Sequence, residues 1–110
     1  MQERIEEIIK RINFYSSKKI EITDYCREKM QQRNIEETLL ISPLFSKSLY
    51  YVEEQQKNYK GMIEKRHKLI FPISSKYYLI IIVAFYQKAL KVVNVIKTSK
   101  MLGKLWKKQK

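Results

Sequence analysis

The residues with most capacity for chemistry stand together in "EKRHKLIFPI" (64–73), where Arg66, His67 and Lys68 directly precede an apolar run. Alternate residues of a strand share a face, so His67 would point with Leu69, Phe71 and Ile73, and Arg66 and Lys68 with Ile70. Arg66 and Lys68 are then candidates for phosphate contact and charge stabilisation; the plainer reading is a pair of solvated strand cations. His67 also reads two ways. It is either a partly buried histidine at an apolar edge or a base whose charged form is disfavoured by Lys65, Arg66 and Lys68.

Other chemistry is poorly supplied. One His, one Cys and no clustered carboxylates cannot provide the three or four ligands of a metal centre, so no metal and no cofactor are expected. The two glycines, Gly61 and Gly103, stand alone and form no phosphate-cradling loop. Cys26 shares a helix face with Met30, where an inert buried thiol is the natural reading. Eight tyrosines interleave with lysines and could stack on bases, although tyrosines beside strands usually bury the ring and wet the hydroxyl.

The elements that must position these residues follow from periodicity. Ile5, Ile8, Ile9 and Ile12 form one stripe of an amphipathic helix over 2–15. "SSKK" (16–19) reads as a turn and "IEI" (20–22) as a short strand or extended lead-in. Thr23 or Asp24 caps a second helix, and Asn34 can cap a third, "IEETLLI", stopped before Pro43. Strands are expected over 45–52, 62–73, 77–86 and 90–96, with 53–61 as a polar hairpin loop. The apolar run 77–86 spans ten residues, where a membrane helix needs roughly 20. It should be the central strand. The tail sets Met101, Leu102, Leu105 and Trp106 against Lys100, Lys104, Lys107 and Lys108, a basic amphipathic helix able to meet a polyanion.

Composition narrows the partners. At 110 residues the chain suits one domain, 1–110, with an ordinary apolar share. The N-terminus alternates charge with isoleucine and has no signal-peptide core, and the single cysteine suggests a reducing compartment; a cytoplasmic location is expected. Residues 1–37 carry eight bases and eight acids, whereas residues 38–110 carry fifteen bases against three acids and hold the whole +12. Such a field suits nucleic acid, the first expectation, an anionic membrane or an acidic protein, and no membrane partner is expected.

A resemblance enters at "YCREKMQQRNIEETLL" (25–40). It is similar to an uncharacterised small-domain family with a His-x-x-x-Arg-Met-x-x-Arg-x-Ile helix, matching at Met30, Arg33, Ile35, Glu36 and Glu37. Tyr25 replaces the family's His and Lys29 its first Arg. "KRHKLIFPI" and "VVNVIKT" (92–98) resemble the family's later strands. That family resembles in turn the RelE/ParE-type toxin superfamily. The implied fold is α+β, with N-terminal helices on a four-stranded antiparallel sheet and, here, a basic C-terminal helix. Residues 20–98 would be the RelE-like core, with 1–15 an added helix and 99–110 the basic helix or tail.

The function implied is binding of RNA or the ribosome, and in the RelE branch metal-independent cleavage of mRNA, with an acidic antitoxin peptide as partner. Arg66 and Lys68 would then stabilise the phosphate, with His67 and Tyr25 the candidate acid/base groups. Lys29, Arg33, Lys97, Lys100 and Lys104 would contact nucleic acid. Arg33 has a structural alternative in capping its helix. The competing functional class is a non-catalytic nucleic-acid-binding or protein-interaction module.

Overall fold

The computed structural model describes residues 2–15 and 19–99. Its elements are α1 (Gln2–Phe14), β1 (Ile20–Ile22), α2 (Asp24–Gln32), α3 (Glu37–Leu44), β2 (Tyr51–Tyr59), β3 (Met62–Pro72), β4 (Tyr77–Phe85) and β5 (Leu90–Ser99). The fold is α+β, but the sheet corrects the four-stranded antiparallel expectation. It has five strands in the order β1-β5-β4-β3-β2, and β1 runs parallel to β5, with Ile20 beside Leu90 and Ile22 beside Val92. This pairing joins segments some seventy residues apart, and no local period announces it. The expected basic helix over 99–110, with Lys100 and Lys104, lies outside the described residues save Ser99, which ends β5.

One face of the sheet carries the core. Ile8 and Ile12 of α1, Cys26 and Met30 of α2, and Leu40 and Leu44 of α3 pack against Leu69, Phe71, Leu79, Ile81, Val83 and Val92. Helix α1 therefore contributes to the hydrophobic core. Strand β4 is central, apolar on both faces, and pairs with β3 on one side and β5 on the other. A bulge where Val83 pairs with Val92 and Ile82 with Asn94 leaves Val93 unpaired on β5. Such a bulge sharpens the local twist.

Helix ends explain two further departures. Thr23 caps α2, its hydroxyl accepting from the Cys26 N–H at 3.1 Å. Asn34, with φ 56°, closes α2 in the left-handed conformation, and the Ile35 N–H reaches back to the Met30 carbonyl. Asn tolerates that conformation better than other side chains, so it ends one helix and does not begin the next. Glu36 takes the N-cap position of α3. Pro43 lies inside α3: burying Leu40, Pro43 and Leu44 together outweighs one missing N–H near the helix end.

The β2–β3 hairpin departs most from the local reading. Residues 45–50 are irregular, and the polar run 53–59 is strand. The turn is only Lys60–Gly61, at φ 52° and 78°. Two positive φ values in a two-residue loop match the twist of the flanking strands. The run is polar because β2 is an edge strand, and its charges oppose those of β3: Glu53 faces Lys68 and Lys57 faces Glu64.

Candidate nucleic-acid interface

The second sheet face receives the alternate residues: Glu64, Arg66 and Lys68 of β3, Ile80 and Ile82 of β4, and Lys91 of β5. Across it runs a cleft of about 720 Å³. Val93, Ile82 and Arg66 line it from the middle strands, Gln55, Gln56 and Lys57 from β2, and Thr23 and Tyr25 from the start of α2. Lys91 and Asn94 complete it. Three cations thus converge, with no carboxylate among the described lining residues. Of the four neutral polar side chains beside them, Thr23, Gln55 and Gln56 can offer hydrogen bonds, and Asn94, whose oxygen already accepts from Arg33 and the Val95 N–H, can offer only its amide N–H groups.

Arg66 and Tyr25, two of the expected catalytic residues, meet in this cleft, Tyr25 being 55% exposed. Lys68 is on the same sheet face, opposite Ile82, but does not line the cleft. His67 is elsewhere. Its 3% exposed ring packs on the helical face edge-on to Phe85, with Nε2 3.7 Å from Glu54 and Nδ1 without a hydrogen-bond partner. Burial first, then Arg11, Arg4 and Lys65, hold its pKa below the ordinary value against the opposing pull of Glu54. The acid/base role expected of His67 in this interface therefore fails on geometry: the strand turns its ring to the far face.

Arg33 is committed locally. Its guanidinium donates to the Asn94 side-chain oxygen at 3.0 Å and to the Val95 carbonyl at 2.9 Å, pinning the end of α2 to β5. Lys29 lies 5.5 Å over the Tyr25 ring, next to the cleft mouth, and Lys97 lies 4.6 Å over Tyr77, away from it. Burial pushes the Cys26 thiol up to about 11, against the pull of Arg27 and Arg33, which keeps it an inert core group. The other tyrosines divide by environment: Tyr15 buries its ring and donates to the Tyr86 carbonyl, and Tyr50 stacks on Tyr78.

Beside the cleft is a group that the sequence reading passed over. Arg66 Nε donates to Glu64 at 2.7 Å, the Tyr86 hydroxyl donates to the other Glu64 oxygen, and Lys91 Nζ lies 5.6 Å over the Tyr86 ring. Burial raises the Glu64 pKa, but the Tyr86 and Arg66 hydrogen bonds and the charges of Arg66 and Lys91 outweigh it and hold the carboxyl below its usual range. Strand parity already put Glu64 on the face of Arg66. Tyr86 and Lys91 required the β3–β4–β5 register.

No protein-family model, curated protein or solved structure matches the chain. The toxin resemblance rests on residues 25–40 and the two strand segments alone.

Proposed function

We propose that the cleft face binds single-stranded RNA, free or on the ribosome, chiefly through its phosphates. The observation that carries this reading is the convergence of Lys57, Arg66 and Lys91 in one cleft, with no carboxylate among its described lining residues and Glu64 beside it on Arg66. A volume of about 720 Å³ has room for a short length of a single strand. The neutral polar groups around the cations suit 2′-hydroxyls, and Tyr25 at the rim offers a ring for stacking. A membrane surface would be met by a broad exposed cationic patch rather than a cleft.

A second reading, metal-independent cleavage, is favoured by the Glu64–Arg66–Tyr86 group. A 2′-oxygen would lose its proton to ionised Glu64 and bond to the adjacent phosphorus. The bond from phosphorus to the 5′-oxygen breaks, and that oxygen leaves as a hydroxyl with the Tyr86 proton. Arg66 and Lys91 stabilise the charge on the pentavalent phosphate. The existing Tyr86–Glu64 hydrogen bond then returns the proton, restoring both groups. In a cell, an acidic protein partner covering the basic face would hold such an activity in check, as in a toxin–antitoxin pair.

An end-labelled RNA oligonucleotide incubated with the protein in excess chelator tests cleavage directly. The expected products carry 2′,3′-cyclic phosphate and 5′-hydroxyl ends, and Glu64→Gln should abolish them while RNA still binds. Binding without any products would remove the cleavage reading and leave the phosphate-binding one.

A further inference from the structure

Strands β3 and β4 part company at one end. Their ladder runs from Pro72 beside Tyr78 to His67 beside Val83, and there it stops. Strand β3 continues through residues 62–66, paired on its other side with β2, while β4 continues through Ala84 and Phe85, paired with β5. The wedge between them is a pocket of about 390 Å³. Met62, Ile63, Ala84, Phe85 and Tyr86 supply apolar walls, and Glu64 supplies a carboxylate. The Glu64–Tyr86 hydrogen bond spans the wedge where the backbone pairing has ended.

We propose that this wedge is a nucleobase subsite and that it prefers guanine. The inference rests on the phosphate-binding reading of the neighbouring cleft and not on the cleavage reading, in which Glu64 is given to the 2′-oxygen. Arg66 and Lys91 line the cleft, Glu64 and Tyr86 line the wedge, and the Arg66–Glu64 bond and the Lys91–Tyr86 contact join the two. A phosphate on Arg66 and Lys91 therefore places its own base at the wedge. Met62 and Ile63, consecutive on β3 and so on opposite faces of it, are 73% and 72% exposed, an unusual state for large apolar side chains at a hairpin tip. A flat heterocycle between Met62 and Tyr86, on the Glu64 side of the wedge, would cover the first of them.

The carboxylate selects among bases. The Glu64 side chain is 9% exposed, so a base would have to enter the wedge edge-on to reach it. Each of its two oxygens accepts one internal bond, and a carboxylate oxygen has two acceptor positions. Guanine alone presents two adjacent N–H donors, at N1 and the exocyclic amine, to such a pair. Uracil presents carbonyls on both sides of its single N–H and is repelled. Lys60 and Lys65, also lining the wedge, suit the guanine O6 acceptor.

The test compares two eight-nucleotide RNAs by fluorescence anisotropy, identical except that one central guanosine is replaced by an abasic ribose. Wild type should bind the guanosine form roughly tenfold more tightly. The Met62→Ala/Ile63→Ala variant, altered only at exposed positions, should bind the two forms alike, and Glu64→Gln should erase a preference for guanosine over uridine at that place. Equal binding of both forms by wild type would overturn the subsite and leave the phosphate cleft standing. No binding of either would overturn both. Undiminished discrimination by the double variant would place base reading elsewhere, leaving the wedge to an apolar segment of a protein partner.

Discussion

His67 is enclosed on every side by named groups: Phe85 against its ring, Glu54 at Nε2, and Arg4, Arg11 and Lys65 near enough to oppose its charge. The unfolded chain takes up a proton near the ordinary histidine value of 6.5, whereas the folded protein resists it. Below that pH the unfolded state therefore binds more protons, and stability falls as pH falls towards the depressed folded pKa. Melting temperature should drop between pH 7.5 and 5.5, and His67→Leu should flatten that dependence. A slope unchanged in the variant would assign it to other groups. Glu64, also depressed, loses its stabilising contribution only below the ordinary carboxyl value of 4.5, so the two windows are separate. Arg33 makes a second residue-scale prediction. Its bonds to Asn94 and Val95 hold α2 on β5, and Arg33→Ala should cost about 1–2 kcal/mol in urea unfolding. Parity along one strand was enough to separate His67 from Arg66. It could not reveal that Arg33 reaches β5, because that contact spans sixty-one positions.

At the scale of elements, what was legible depended on how locally each was specified. The isoleucine stripe of α1 and the apolar run of β4 follow from their own periods, since each buries what its pattern presents. Strand β2 did not, because "EEQQKN" is polar on both faces and derives its strand character from pairing with β3. Strand β1, three residues long, exists as a strand only through β5. The hairpin that carries the wedge depends on its two-residue turn. Gly61 sits at φ 78°, and an added Cβ there would meet nothing within 4 Å, so any penalty is backbone strain alone. Gly61→Ala should therefore destabilise the protein by about 1–2 kcal/mol, read from the midpoint of chemical unfolding. An unchanged midpoint would mean that the turn tolerates an L side chain and that strand pairing alone sets the hairpin.

For the molecule as a whole, the uneven charge was visible in the bare sequence, but its focus was not. Acids end at Glu64 while bases continue to the C-terminus. Only the fold shows that Lys57, Arg66 and Lys91, from three strands, line one cleft, with Glu64 drawn to the Nε side of Arg66. The candidate site was thus half legible: Arg66 and Tyr25 in advance, Glu64, Tyr86 and Lys91 only through sheet register. No helix among the described residues is long and apolar enough to cross a membrane.

The central claim is that this cleft holds RNA phosphates, and a salt titration tests it most directly. Binding of a fluorescent single-stranded RNA would be measured from low to physiological salt for wild type, Arg66→Ala/Lys91→Ala and a control at Lys76, in the turn between β3 and β4. Each phosphate contact contributes a slope of about 0.7 in log affinity against log salt. The double variant should bind at least about tenfold more weakly, with a slope shallower by roughly 1.4, and Lys76→Ala should match wild type. Equal affinity and slope in all three proteins would contradict the account.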